Sequence, residues 1–320
     1  MRFDNRSRVS TYLSAWMPSG DTVIPFEGYF AGGNDGTYLS RIEKVTFPAD
    51  TISTLSATLT TASFLFPGFA DSGVAGYIPG GYDAGTRISR IDKITFAADS
   101  KSTLSATLTS ARYGAGAFAN SSVAGYVGGG NDGSAVSGID KITFPADTKS
   151  TLSATLSAAV FSLGGMANSG TAGYFAGGYT GANFVNTIDK IAFPADGKST
   201  LAATLTTARN GIYGMADSGV AGYFSGSNSA AGYLDGIDKI TFSSDSRSAL
   251  AATLSTARYD CSAFANTGVA GYIGGGFAVG DIKQSSIDKI AFPADTKTTL
   301  SATLSSANVE MAGFADCGVF

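Results

Sequence analysis

A fixed repeat, four short strand-like runs in every repeat, and turn residues between those runs predict an all-β fold. The fold they point to is a six-bladed β-propeller of four-stranded blades, its ring closed by the C-terminal strand joining the N-terminal blade. Gly-Tyr recurs at Gly28, Gly76, Gly125, Gly173, Gly222 and Gly271, always 48 or 49 residues apart. The runs span four to seven residues and are rich in Ile, Thr, Phe, Tyr and Val. No stretch keeps helical periodicity over three turns. Short strands repeated at such a period describe a radial array.

Run B opens on Gly-Tyr and ends in a glycine pair: Gly32-Gly33, Gly80-Gly81, Gly129-Gly130, Gly177-Gly178 and Gly275-Gly276, with Gly226-Ser227 in the fifth unit. Paired glycines suit close backbone approach and positive φ. Run C reads Ile-Asp-Lys-Ile-Thr-Phe, as at Ile139 to Phe144. Its adjacent Asp140 and Lys141 face opposite sides of a strand, so an ion pair to another unit is expected. Phe144-Pro145-Ala146-Asp147 then forms a turn in which proline presets φ. Run D is expected to open at Leu-Ser/Ala-Ala-Thr-Leu, beginning at Leu55, Leu104, Leu152, Leu201, Leu250 and Leu300. Run A is rich in Ala and Gly, as at Gly114 to Ala119, which suits crowding near an axis. Asp71-Ser72-Gly73 and Asn266-Thr267-Gly268 supply tight hairpins leading into the next run B.

Strand order sets the blade count. Runs B, C and D each occur six times, starting near residues 27, 42 and 55, whereas run A first appears near 64 and last at 309–315. Joining the final A to the first B, C and D completes six blades and leaves no open edge. Residues 10–25 lack the repeated phrases, which favours six blades over seven. Residues 1–26 therefore form an extension or docking arm, and 27–320 the propeller.

Composition narrows the function. Charged residues make up 14% of the chain and the net charge is -4, so no basic surplus exists to meet nucleic acid. Histidine is absent, which removes histidine metal sites, Ser-His-Asp triads and histidine bases. Two cysteines cannot build a zinc site alone, and Cys261 and Cys317 occupy non-equivalent places, so free thiols are expected. No apolar window reaches the length of a membrane span. Met1 to Ser10 is polar and charged, so a secretory leader is not expected. No metal or cofactor is expected.

The unit resembles the kelch repeat. Arg112, Tyr126 and Gly129-Gly130 match that family's Arg, Tyr and glycine doublet, and Arg209 and Arg258 match its Arg as well. Ser63, Val160 and Asn308 stand at the Arg place in the other units. The family's outer-strand Trp is missing, with the leucines of run D near its position. The resemblance covers residues 27–320. It implies a propeller closed by its C-terminal strand and a structural role for Arg112, Arg209, Arg258, Gly129 and Gly130. In texture the units are also similar to propeller segments of phage virion and tail-associated proteins, which implies an assembly role.

Catalytic chemistry finds little footing. Asp50, Asp99, Asp147, Asp196, Asp245 and Asp295 recur on separate units, not as a close acid–base pair, and read as turn stabilisers. Asn34-Asp35-Gly36 and Asn131-Asp132-Gly133 read as turns before calcium loops. The B–C loops vary most and carry Tyr38, Tyr82, Tyr179, Phe184, Tyr233 and Phe277. Loops on a rigid scaffold are the usual binding positions. These rings do not repeat from unit to unit, which favours a protein contact over multivalent sugar binding. In the extension, Arg6, Arg8, Tyr12 and Trp16 suit docking. The expectation is a non-catalytic structural or protein-interaction propeller. Its partners would be other subunits of an assembly such as a virion or tail, or copies of itself. A glycan-binding propeller is the alternative. Placement in a virion or extracellular assembly follows, with the cytoplasm left open.

Overall fold

The computed structural model describes residues 26–317, so the arm expected at Arg6, Arg8, Tyr12 and Trp16 lies outside the described residues. Six four-stranded antiparallel sheets dominate it, in a propeller-like arrangement. In the third unit the strands are A, Gly116–Asn120; B, Ala124–Gly128; C, Ile139–Thr143; and D, Thr148–Thr151, hydrogen-bonded in that order. The other units repeat the order, three of them with a small hairpin between B and C. The first unit draws strand A from the far end of the chain: Ala312–Ala315 pairs antiparallel with Glu27–Ala31, with Gly28 opposite Ala315.

Strand D differs from the sequence expectation. It ends before the leucine phrase, at Thr54, Thr103, Thr151, Thr200, Ala249 and Thr299. The outermost strand faces solvent and needs polar residues, as in Thr-Lys-Ser-Thr of Thr148–Thr151. The leucine phrase instead forms the passage to the next unit, burying its second leucine (Leu59, Leu108, Leu156, Leu205, Leu254, Leu304) in the core.

The A strands crowd together, each touching two others, so that the six contacts run in a cycle. Just before each A strand stands a residue with left-handed φ: Leu65, Gly114, Ser162, Gly211, Asp260 and Glu310. Their backbones form a cycle of six hydrogen bonds. Leu65 N donates to Glu310 O (2.9 Å), Glu310 N to Asp260 O (2.8 Å), Asp260 N to Gly211 O (3.2 Å) and Gly211 N to Ser162 O (2.8 Å). Ser162 N then donates to Gly114 O (2.6 Å) and Gly114 N to Leu65 O (2.8 Å), which returns to the start. Every one of these amides, turned inward from any sheet, thereby finds an acceptor.

A second cycle runs near the turns at the opposite end of the strands. The Tyr of each strand B donates its hydroxyl to the turn Asp between strands C and D of the next unit. The pairs are Tyr29–Asp99, Tyr77–Asp147, Tyr126–Asp196, Tyr174–Asp245, Tyr223–Asp295 and Tyr272–Asp50, at 2.7–3.0 Å. The other oxygen of each Asp takes the strand-C lysine of the donating unit, at 2.6–2.7 Å: Lys44, Lys93, Lys141, Lys190, Lys239 and Lys289 respectively. Tyr and Lys lie directly opposite each other across strands B and C, as Tyr126 does to Lys141. All six Asp residues sit at left-handed φ, between 47 and 56°, which short polar side chains tolerate. The turn aspartates are thus inter-unit clamps as well as turn formers.

The strand-C acid has a separate task. Asp92, Asp140, Asp189, Asp238 and Asp288 accept the backbone N–H of Thr60, Thr109, Ser157, Thr206 and Ser255, at 2.7–2.9 Å, and Glu43 accepts Ser305 N in the first unit. Each acid pins the chain as it enters that unit. The Asp-Lys dipeptide therefore holds two different neighbours from its two faces.

The Gly of each Gly-Tyr pair has a steric reason rather than a conformational one. A Cβ on Gly125 would run into Phe69, on Gly173 into Phe118, on Gly28 into Phe264 and on Gly76 into Phe314. On Gly222 and Gly271 it would meet Met166 and Met215. In every case the obstructing side chain belongs to strand A of the preceding unit. We expect Gly125→Ala to lower stability by about 1–3 kcal/mol through overpacking. Gly138→Ala, where a Cβ meets nothing within 4 Å, should stay within about 0.5 kcal/mol of the parent. Urea unfolding of the two variants measures the difference.

Candidate interaction face

The B–C loops and the passages into strand A share one end of the sheets. There the residue following Ser63, Arg112, Val160, Arg209, Arg258 or Asn308 bridges to the end of strand B. Phe64 bridges to Tyr82, Tyr113 to Asn131, Phe161 to Tyr179 and Val309 to Asn34. Asn210 is paired with Asn228, and Tyr259 with Phe277. Three of the variable loops fold into hairpins of their own: Tyr82–Asp83 with Thr86–Arg87, Ser227–Ser229 with Gly232–Leu234, and Phe277–Ala278 with Ile282–Lys283.

These bridges bring the loop aromatics into line. Tyr38 contacts Phe64 (ring centroids 4.7 Å apart), Phe64 contacts Tyr82 (5.7 Å) and Tyr82 contacts Tyr113 (5.3 Å). The line continues through Phe161 (6.3 Å) and Tyr179 (5.6 Å) to Phe184 (5.1 Å). Seven rings thus cross the first four units, several of them edge to face, an arrangement favoured by the ring quadrupoles. Arg87 lies over Tyr113, 5.7 Å from its centroid. A shorter line joins Tyr233, Tyr259 and Phe277 at 4.6 and 5.2 Å. Tyr233 donates to Asp281, which raises the pKa of its phenol.

The six sequence candidates therefore fall into two groups: Tyr38, Tyr82, Tyr179 and Phe184 in one line, Tyr233 and Phe277 in the other. Tyr38 is exposed and the rest are half-buried. Sequence reading missed Phe64, Tyr113, Phe161 and Tyr259, which link them. The available clue was an aromatic directly after Ser63, Arg112, Val160 and Arg258.

Beneath this face Arg112, Arg209 and Arg258 are almost fully buried. Each guanidinium pairs at 3.0 Å with the strand-C acid of its unit, Asp140, Asp238 or Asp288. Each also donates to a strand-B carbonyl, of Val127, Phe224 or Ile273. Val160 stands in the core instead, and Asn308 Nδ2 donates to Gly32 O. Gly129 and Gly130 adopt φ of 69 and 105°, and a Cβ on Gly129 would reach Val160 O. The two Asn-Asp-Gly loops are Asx turns: Asn34 Oδ1 accepts Gly36 N and Lys283 Nζ, and Asn131 Oδ1 accepts Gly133 N and an Arg87 nitrogen. Cations of the protein already occupy those oxygens. Both cysteines are free thiols.

Among the described residues no three Asp, Glu or Cys side chains converge as a metal-ligand set, and no helix is long and apolar enough to cross a membrane. The sequence matches no protein-family model and no curated protein.

Burial raises four acids above their ordinary values, Asp217 among them. Burial pushes Asp316 up to about 6. Burial also raises Asp260 and Glu310, and the Asp260 charge raises Glu310 further, against the pull of Lys283. Tyr213 and Cys261 nearby are themselves raised by burial, and Arg258 is engaged with Asp288. A raised folded-state pKa gives stability that is full below the unfolded value and is lost as pH climbs through the folded value. We therefore expect the urea midpoint in metal-free buffer to fall between pH 5 and pH 9. Asp260→Asn with Glu310→Gln should flatten that slope.

Proposed function

We propose that the chain is a six-bladed kelch-type propeller with no catalytic role, serving as a protein-interaction subunit of a larger assembly such as a virion or tail. The cyclic A-strand contacts, the backbone hydrogen-bond cycle and the six Tyr–Asp–Lys clamps support ring closure. The observation that carries the interaction reading is the unrepeated line of seven rings crossing four otherwise near-equivalent units. A scaffold that repeats its core yet breaks its pattern at one face suits a single extended partner. A small ligand captured once per blade would call for the same residues in each. Half-buried, mutually packed rings also present a stiff surface, which limits the entropy lost on docking.

Tyr38 favours glycan binding as a second reading. It is 39% exposed, and Asn34 and Asp35 stand in the same loop. An exposed ring beside amide and carboxylate groups suits stacking on a sugar face.

Light scattering on the full chain, compared with a chain lacking residues 1–26 and with Tyr82→Ala/Tyr113→Ala/Tyr179→Ala, separates the readings. A defined oligomer that falls to monomer in either variant is the expected result. A monomer in every case, together with glycan binding abolished by Tyr38→Ala, would overturn it in favour of the second reading.

A further inference from the structure

The end of the sheets opposite the loop face has a surface of its own. The A–B and C–D turns share it, because strands A and C run the same way. Four A–B turns expose a valine at their tip (Val74, Val123, Val220 and Val269), and a fifth exposes Thr171 at that place. Each C–D turn exposes a pair of small residues, Pro-Ala in four units, Ala97-Ala98 and Ser243-Ser244 in the others. Strand A is innermost, so the valines form an inner ring and the small pairs an outer one. The valines are 42–49% exposed. Phe26, 45% exposed, enters at the same end, where its carbonyl accepts Phe47 N. Eight large apolar side chains are exposed among the described residues, and five of them stand here.

No exposed residue of these turns is charged. The C–D aspartates lie half-buried, each held by its tyrosine and lysine. The loop face differs, with Asp132, Asp235 and Asp281 exposed. The inner tips are also fixed. Ser122 N donates to Asp71 Oδ1 (2.7 Å), Gly170 N to Asn120 Oδ1 (2.8 Å), Gly219 N to Asn168 Oδ1 (2.9 Å) and Gly268 N to Asp217 Oδ1 (2.8 Å). Gly73 N donates to Asp316 O (2.6 Å). The end of each of these A strands thus pins the tip of the following unit, and a pinned surface loses little freedom when covered. The turn itself does not need its valine. Thr171 N donates to Asn168 O (3.0 Å) as Val123 N does to Asn120 O (2.9 Å).

We propose that this end seats a second copy of the chain, the two molecules meeting turn face to turn face about a twofold axis. Size supports it. The exposed tips and Phe26 amount to about two dozen residues, as many as one side of a standard protein interface uses. Charge supports it as well. A face that carries neither sign meets itself without like-charge repulsion, whereas a charged partner would lose hydration there and find no counter-charge. A twofold interface must also complement itself. Valine ring falls on valine ring and small pair on small pair at any rotation, while Thr171, Ser243-Ser244 and Phe26 break the pattern and select one. The inference does not rest on the aromatic line, which lies at the other end of the sheets.

Sedimentation velocity on the full chain, from micromolar to submillimolar concentration, tests this. The parent should form a species of twice the 32.4 kDa chain mass. Val123→Asp/Val220→Asp sets like charges against each other across the interface and should raise the dimer Kd at least about a hundredfold. Both sites are half exposed, so its urea midpoint should stay close to the parent's. Val123→Lys/Val220→Lys should dissociate likewise, and an equimolar mixture of the aspartate and lysine chains should re-form the dimer. Should the charged chains not fold, Val123→Ser/Val220→Ser should instead weaken the dimer about tenfold. A monomeric parent, a dimer unaffected by these changes, or no re-association in the mixture would overturn the proposal. A dimer that survives the aspartates but is lost in Tyr82→Ala/Tyr113→Ala/Tyr179→Ala would place the second copy on the loop face, so the two readings fail separately.

Discussion

Close approach of the six inner strands is the constraint from which the other features follow. Backbones that converge on an axis leave no room for large side chains between them, so Gly165 lies against Ala117 O and Gly214 against Gly165 O. The large apolar groups are pushed outward and sideways. Phe69, Phe118, Phe264 and Phe314 reach into the adjoining unit, and a glycine there must accept each of them. What reads in sequence as a Gly-Tyr motif is therefore half of a contact whose other half lies 55 or 56 residues earlier in four units, and near the far end of the chain, at Phe264 and Phe314, for Gly28 and Gly76. The neighbouring Tyr is spoken for by the same junction, through its aspartate. One Gly-Tyr pair thus serves packing with its first residue and polar connection with its second.

Most of the architecture could be read from the chain because it is written six times. Period, strand identity and the origin of the final A strand all follow from where Gly28, Ile42 and Phe314 fall. The outermost strand was misplaced by a few residues, since Leu-Ser-Ala-Thr-Leu looks more strand-like than Thr-Lys-Ser-Thr. Exposure of the edge decides the matter, and exposure is a tertiary property. The partner of Lys141 was equally hidden. Its adjacent Asp140 faces the other side of the strand, so the sequence points to another unit without saying which residue, and the structure supplies Asp196, 55 residues away.

The loop face was legible only in part. Tyr82 and Tyr179 stand out because variable loops are natural binding positions. Tyr113 and Phe161 escape notice because they belong to the small-residue run, where an aromatic looks like a core residue. Only the bridges to Asn131 and Tyr179 bring them to the surface line. The acids at the axis escaped for a related reason: Asp260 and Glu310 occupy a position whose occupant changes in every unit, so no repeated phrase marks it. Repetition reveals what a unit needs to fold, and the departures from repetition carry what distinguishes one unit from the next.

The junction between Tyr272 and Asp50 has the same atoms and distances as the other five, yet its partners lie 222 residues apart where the others lie 70 to 72 apart. Closing the longer loop costs about 1 kcal/mol more in chain entropy, because that cost grows only with the logarithm of length. The seam between first and last units is therefore nearly as strong as any other junction, but it cannot form until the end of the chain has been made. During synthesis the first unit waits with strand B unpaired on its inner side, an exposed edge able to accept a strand from another molecule. Exchange of the final strand between two chains would satisfy the same contacts, so the seam is where this fold is open to domain swapping.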